Sequence, residues 1–178
     1  MKSSKMITFV LLCYLLALSH SGVVIQSDLK GEQLKDGDKV VENPKITNYK
    51  MPEKGAKVIW GPTYNSAKNG EKREVVEFFK TFCDAPVSIS AAAESEFVLW
   101  VNGDKVLKGN NNKVFSADIK LEKCKKNKLT MEGAKWGRDG LAGMIYQINQ
   151  NEDCMNCPAG THFNQDTCEC ECVQDCKC

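Results

Sequence analysis

Between residues 55 and 148 the chain is cut into short runs of β-branched and aromatic residues by clusters of Gly, Pro and Asn, and few folds accept that rhythm. The runs are AKVIWG (56–61), REVVEFFKTF (73–82), PVSISAAA (86–93), EFVLWV (96–101), KVFSADI (113–119), KLTMEGAKW (128–136) and LAGMIYQI (141–148). Each has the length and composition of a strand. GEKREVVEFFKTF also places Val75, Phe79 and Phe82 at helical intervals, but Val-Val and Phe-Phe favour strands and the polar side is thin, so it too reads as a strand. Seven short strands with turn signals over about 95 residues describe an antiparallel β-sandwich.

The sharpest of these signals is ESEFVLWVNGDKV (94–106). Side chains on a strand alternate faces, so Phe97, Leu99 and Val101 point one way and Val98, Trp100 and Asn102 the other, ahead of an Asn-Gly pair suited to a tight hairpin turn. Apolar residues on both faces read as a central strand buried on both sides, with Trp100 in a core or beneath the residues that precede the sandwich. The alternative is that Trp100 belongs to an aromatic platform on which sugar rings stack.

The two ends have other compositions. Lys2 and Lys5 precede an apolar run from Met6 to Leu18 and small residues at Ser19 and Ser21, the pattern of a cleaved signal peptide over 1–21, so the chain is expected to be secreted and extracellular. That run is too short to span a bilayer and no later segment reaches eighteen apolar residues, so no membrane partner is expected. Residues 22–54 are rich in Lys, Asp, Glu and Gly and read as an extended lead-in, with one edge strand at Val40-Val41. After Gln150, residues 151–178 hold seven cysteines and one large apolar side chain, Phe163; such a segment cannot bury a core and must be held by cross-links.

Loss of residues 1–21 removes Cys13 and leaves nine cysteines: Cys83, Cys124, Cys154, Cys157, Cys168, Cys170, Cys172, Cys176 and Cys178. A secretory route makes disulfides their default state, and the odd count leaves one thiol free or paired with another molecule. Cys83 and Cys124 lie just outside strands on either side of the central hairpin, and a bridge between them is expected. The oxidising route also argues against a thiolate metal cluster at Cys-Glu-Cys-Glu-Cys, so no metal is expected.

Five pieces taken in order carry a resemblance: AKVIWG with Trp60, VVEFFKTF, VSISAAAESEFVLWVNGDKV, FSADIKLEKCKKNKLTMEG and GRDGLAGMIYQI. Together they resemble the galactose-binding-domain-like jelly rolls, β-sandwich modules often appended to glycosidases and found as carbohydrate-binding modules. The resemblance implies an all-β jelly-roll sandwich over 55–150 and glycans as partners. Two positions depart from the family's pattern: Glu94-Ser95-Glu96 stands where two adjacent acidic residues are common, and Cys124 where a glycine is usual. In the tail, the spacing of Cys157, Cys168, Cys170 and Cys172 resembles the cysteine repeat of Balbiani-ring silk proteins and of the C-terminal extensions of vascular endothelial growth factors C and D. That likeness implies a disulfide-rich segment used for association or retention.

The residues best placed to touch a ligand are Trp60, Tyr64, Trp136, Arg138 and Asp139, which sit at strand ends beside turn residues, where loops carry function. In KWGRDG a Trp could stack on one face of a sugar while Arg138 and Asp139 bond its hydroxyls. Asp104 and Asn110 to Asn112 are oxygen donors of the kind calcium prefers, but their spacing fits no calcium loop, so no cofactor is expected. Beyond the signal segment, 22 Lys and Arg balance 23 Asp and Glu, which gives no reason to expect nucleic acid as a partner. His162 is the one histidine beyond that segment and lies in the tail; a Ser or Cys nucleophile in the sandwich would have no imidazole base, and Glu94 and Glu96 mark no cleft, so no enzyme is expected. Two classes of function remain: a glycan-binding module whose tail links copies, or a structural component of an extracellular matrix, silk or adhesive.

Overall fold

The computed structural model describes residues 21–28, 32–46, 49–137, 140–151, 157–164 and 166–172; residues 1–20, Arg138, Asp139, Cys154, Cys176 and Cys178 lie outside these. The strands are β1 (Ser21–Gln26), β2 (Gln33–Leu34), β3 (Val41–Glu42), β4 (Ile59–Trp60), β5 (Lys72–Lys80), β6 (Val87–Ala93), β7 (Glu96–Val101), β8 (Asp104–Asn110), β9 (Phe115–Ile119), β10 (Lys126–Ala134), β11 (Met144–Asn151), β12 (Thr161–Asn164) and β13 (Glu169–Cys172). No helix occurs among the described residues. One sheet has the order β3-β4-β11-β6-β9, with β1 also paired to β11; the other has the order β2-β5-β10-β7-β8. All pairs are antiparallel, and the chain changes sheet between β5, β6 and β7 and again at each step from β8 to β11, so the two sheets wind together as a jelly roll.

The runs at 73–82, 86–93, 96–101, 113–119, 128–136 and 141–148 correspond to β5, β6, β7, β9, β10 and β11, while the run at 56–61 holds the short β4. The Asn-Gly turn forms as expected: Asn102 and Gly103 take φ of 54° and 93°, the left-handed pair that a two-residue hairpin needs. Beyond the turn, 104–110, which none of the seven runs covers, is a strand. β8 sets Asp104 and Asn110 at its two ends, about 20 Å apart at strand rise, so these oxygens do not converge.

The inner faces meet through Val75, Phe79, Phe97, Leu99, Leu129 and Met131 from one sheet and Ile89, Ala91, Met144, Tyr146 and Ile148 from the other. Trp60 lies among them at 1% exposure. It fits because Gly133 on β10 has no side chain: a Cβ there would come within 2.9 Å of the indole. Gly109 on β8 likewise leaves room for the rings of Phe97 and Phe115, which meet edge to face at 6.0 Å.

The lead-in contributes three strands, and β3 takes the edge position read for Val40-Val41. Residues 43–46 and 49–58 then lie against the outer face of the six-stranded sheet. Ile46 and Val58 pack on Ala92 and Ile145, with Tyr49, Met51 and Ala56 around them. Polar side chains there bond the covering backbone: Gln147 accepts from Glu53 N at 2.9 Å and donates to Glu53 O at 3.2 Å, and Ser27 Oγ donates to Lys57 O at 2.8 Å. Asn43 Nδ2 closes the strap by donating to Ala142 O at 2.8 Å.

The tail forms a hairpin of β12 and β13 at the end of the sandwich where β5 finishes and β10 begins. The expected Cys83–Cys124 bridge is not present: Cys124 is bonded to Cys168, and Cys83 is disulfide-bonded elsewhere. The tail docks at the end of the sandwich that carries Cys124, and this brings a tail thiol to it in place of Cys83. A second bridge joins Cys157 to Cys170, and Cys172 is bonded too. Phe163 packs edge to face on Phe82 with centroids 5.8 Å apart, so the one aromatic residue of the tail is used to dock it.

Candidate functional site

The sequence points to loops at strand ends as the place for a ligand, and the structure draws two of those loops together. Residues 61–71 are laced to 135–137 and 140–142 by Gly70 N to Lys135 O at 2.7 Å, Lys135 N to Glu71 O at 2.8 Å, Ala67 N to Gly140 O at 3.0 Å and Ala142 N to Tyr64 O at 2.8 Å. The side chain of Glu71 organises the first loop, accepting from Lys68 N at 3.1 Å, from Trp60 Nε1 at 3.4 Å and from the Thr63 hydroxyl, with Arg73 3.3 Å away. Burial pushes its carboxyl up, but these donors and the Arg73 charge outweigh that and hold it below the usual carboxylate range.

The predicted ligand residues divide here. Trp60 is in the core with its indole N–H spent on Glu71, so its reading as a surface residue is corrected; both residues of the short β4 beside Gly61 are buried. Tyr64 is half-buried and packs on the core. Trp136 is 46% exposed, and Arg138 and Asp139 lie outside the described residues. Trp136 is held in a fixed pose: its N–H donates to Ser95 Oγ at 3.0 Å, that hydroxyl donates to Trp136 O at 3.1 Å, and Nε1 donates to Glu96 Oε2 at 3.0 Å. Gly137 N donates to Asn69 Oδ1 at 3.0 Å behind it.

Glu96 links Trp136 to a surface that sequence reading missed. On the five-stranded sheet, Leu99, Met131 and Val75 are partners and point inward, so Trp100, Thr130 and Val76, the next row of partners, point outward. The row extends to Gln33 on β2 and Lys105 on β8. Adjacent rows carry Val98, Glu132 and Glu74 on one side, Phe78 and Lys128 on the other. Trp100 is therefore not buried between layers. It is a half-buried side chain on the solvent face, which corrects the expectation of a strand buried on both sides. Phe78 on the same face is 54% exposed, with Lys126 Nζ 4.3 Å from its ring centroid.

The two sandwich faces thus differ. The lead-in covers the outer face of the six-stranded sheet, whereas the outer face of the five-stranded sheet carries Trp100, Phe78, Val76 and Val98, with Trp136 at its upper margin. Strand spacing and rise put Trp100 and Phe78 roughly 12 Å apart, across β10 and two residues along it. The sequence signal for this face is the outward set of apolar residues in EFVLWV and REVVEFFK, a pattern that burial on both sides would produce equally well.

One cluster inside the sandwich titrates. Tyr146 is fully buried, and its hydroxyl lies 2.5 Å from Glu77 Oε2 and 3.1 Å from Glu32 Oε1. One phenolic proton serves one carboxylate at a time, so the two acids compete for a single donor. Burial, with the Glu32 charge beside it, raises the Glu77 carboxyl to about 7, and burial raises Glu32 as well. Glu32 also borders a cleft of about 570 Å³ lined by Gln33, Leu34, Gly37, Asp38, Lys39 and Val40.

No protein-family model matches the chain, and no curated protein does either. Solved structures align with it at low identity. The lectin from Pleurotus ostreatus in complex with GalNAc aligns at 11% identity and a TM-score of 0.40, over 74% of this chain and 34% of that one. TmCBM61 in complex with β-1,4-galactotriose aligns at 14% identity and a TM-score of 0.39, over 69% and 87%. The β-glucosidase from Kluyveromyces marxianus in complex with glucose aligns at 11% identity and a TM-score of 0.40, over 66% of this chain but 15% of that enzyme. The chain thus matches a minor part of the glucosidase and about a third of the lectin.

Proposed function

We propose that this chain is a secreted, non-catalytic carbohydrate-binding module whose binding surface is the open face of the five-stranded sheet. The observation that carries this reading is the outward pair Trp100 and Phe78 on a sheet whose opposite number is strapped over by the lead-in. Aromatic rings fixed on a strand face offer flat apolar contact to the C–H face of a pyranose at little entropic cost, and Thr130 and Gln33 in the Trp100 row supply hydroxyl and amide partners. Two rings roughly 12 Å apart are further apart than one pyranose, so an oligosaccharide segment spans them. Trp136, with its N–H already bonded to Glu96, would add a third apolar contact at the margin.

Against catalysis stands the placement of the acids. Glu77 and Tyr146 are buried between the sheets, and Glu96 spends an oxygen on Trp136. The cysteine-rich tail, whose described hairpin docks at the far end from Trp136, is proposed to link copies through the odd cysteine, which raises avidity by making later contacts intramolecular. Retention of the secreted protein on immobilised polysaccharides tests the reading: Trp100→Ala should weaken retention at least about tenfold, the loss of one stacking contact, while the fold persists. Retention unchanged in Trp100→Ala and Phe78→Ala would refute the surface assignment, and a non-reducing gel showing only monomer without a reactive thiol would refute the tail's linking role.

A further inference from the structure

The open face is not electrically uniform. In its upper half the carboxylates are already engaged: Glu74 with Lys35 at 3.0 Å, Glu132 with Lys72 at 3.0 Å, and Glu96 with the Trp136 indole. In the lower half the outward positions are Lys105 opposite Trp100, Lys128 opposite Phe78, and Lys126 opposite Lys80; Lys108 stands one row above, opposite Val98 and diagonal to Trp100. No outward position of β5, β7, β8 or β10 in that half holds a carboxylate. Lys80 has Asp166 of the tail 4.0 Å away. Among the described residues, Lys105, Lys108, Lys126 and Lys128 have no ion pair; Lys126 sits on the Phe78 ring. The whole chain is close to neutral, so this is a local concentration of one sign around the two aromatic side chains.

We infer that the glycan bound by this face is acidic, a polysaccharide bearing carboxylate or sulfate groups. The inference rests on the carbohydrate-binding reading above and names its ligand class. Stacking on Trp100 positions a sugar ring in the plane of the sheet, and Lys105 and Lys128 then lie on either side of that ring within reach of substituents at its edge. Ammonium groups on flexible stems suit scattered anionic substituents better than they suit neutral hydroxyls, since each contributes charge and three donors but no acceptor. A neutral glycan would leave the positive charge of Lys105 and Lys128 beside the stacked ring uncompensated, and an anionic chain neutralises it. The same charge would attract an anionic lipid surface, but the face is a regular sheet without a protruding apolar loop, and its aromatics are separated by Thr130 and Lys128.

The test uses the full secreted protein on four immobilised surfaces: polygalacturonate, a sulfated galactan, a neutral galactan and phosphatidylserine vesicles. The expected result is retention on an acidic polysaccharide that falls steeply with salt, weakens about tenfold in Lys105→Gln/Lys128→Gln, as expected for two surface charge contacts, and weakens further in Trp100→Ala. Preference between polygalacturonate and sulfated galactan identifies the anion. The control Lys68→Gln/Lys113→Gln, which removes the same charge at the opposite end, should bind like the parent. Equal retention on neutral galactan, with no loss in the double variant, would overturn the inference while leaving a neutral-glycan module standing. Retention on vesicles at parity with polysaccharide and indifferent to Trp100→Ala would overturn it in favour of a charge-only surface. Failure to bind any polysaccharide would overturn this inference and the function it rests on together.

Discussion

Replacing Glu77 with Gln should make the protein more stable than the parent at neutral pH and flatten its stability profile below it. Glu77 points inward from β5 at 7% exposure, against Tyr146 and the raised carboxyl of Glu32, with Asp28 adding negative charge nearby. Its carboxyl is raised from 4.5 to about 7, first by burial and then by the Glu32 and Asp28 charges. The folded state therefore keeps a proton that the unfolded chain releases near 4.5. Between those two values the unfolded state binds fewer protons, so stability falls as pH rises. A shift of this size costs about 3 kcal/mol across the window, or about 6 to 12 °C in Tm for a domain of this size. Gln keeps the acceptor for the Tyr146 hydroxyl and has no proton to lose. Urea melts of both proteins at about pH 4.5, 5.5, 6.5 and 7.5 isolate the cluster, because titrations remote from it cancel in the difference. The Gln variant should gain on the parent steadily with pH, and a constant difference across the window would refute the assignment of a proton-holding cluster.

Packing and cross-linking set the other expected outcomes. Cys124→Ser/Cys168→Ser opens a closure of 44 residues and should cost up to about 4 kcal/mol in the chain-entropy model, read in a chemical melt, with the tail hairpin becoming the first site of proteolysis. Gly109→Ala inserts a methyl group where the Phe97 and Phe115 rings lie and should destabilise by about 1 to 3 kcal/mol in the same assay. Trp60→Ala should cost about 3 to 5 kcal/mol, or prevent folding, because it empties a core position. Trp136→Ala should cost about 1 kcal/mol or less and remove the tryptophan fluorescence most accessible to iodide, which distinguishes an exposed indole from a buried one.

Where a feature is local, it can be read directly. The strand Glu96–Val101 and its Asn-Gly turn are legible because alternation and left-handed φ belong to a few consecutive residues. β8 escapes such a reading because DKVLKGN mixes lysines with a glycine, and the irregular register between Leu99 and Trp100 breaks its alternation. The two-residue strands of the lead-in carry almost no signal of their own, since their stability comes from β5, β4 and the covered sheet face.

Trp60 and Trp136 show the limit most plainly. Each is a Trp followed by Gly at a strand end, yet one fills the core over Gly133 while the other lies open beside Glu96. Cys83 and Cys124 are alike too, and the partner of Cys124 is a tail residue 44 positions away in sequence. Composition and local period determined that this chain is an antiparallel β-sandwich with a cross-linked tail, because strand and turn preferences act over neighbouring residues. Which face stays open, which indole is exposed and which cysteines meet depended on the tertiary structure, because burial is settled by residues distant in the chain that arrive on one side of a sheet and not on the other.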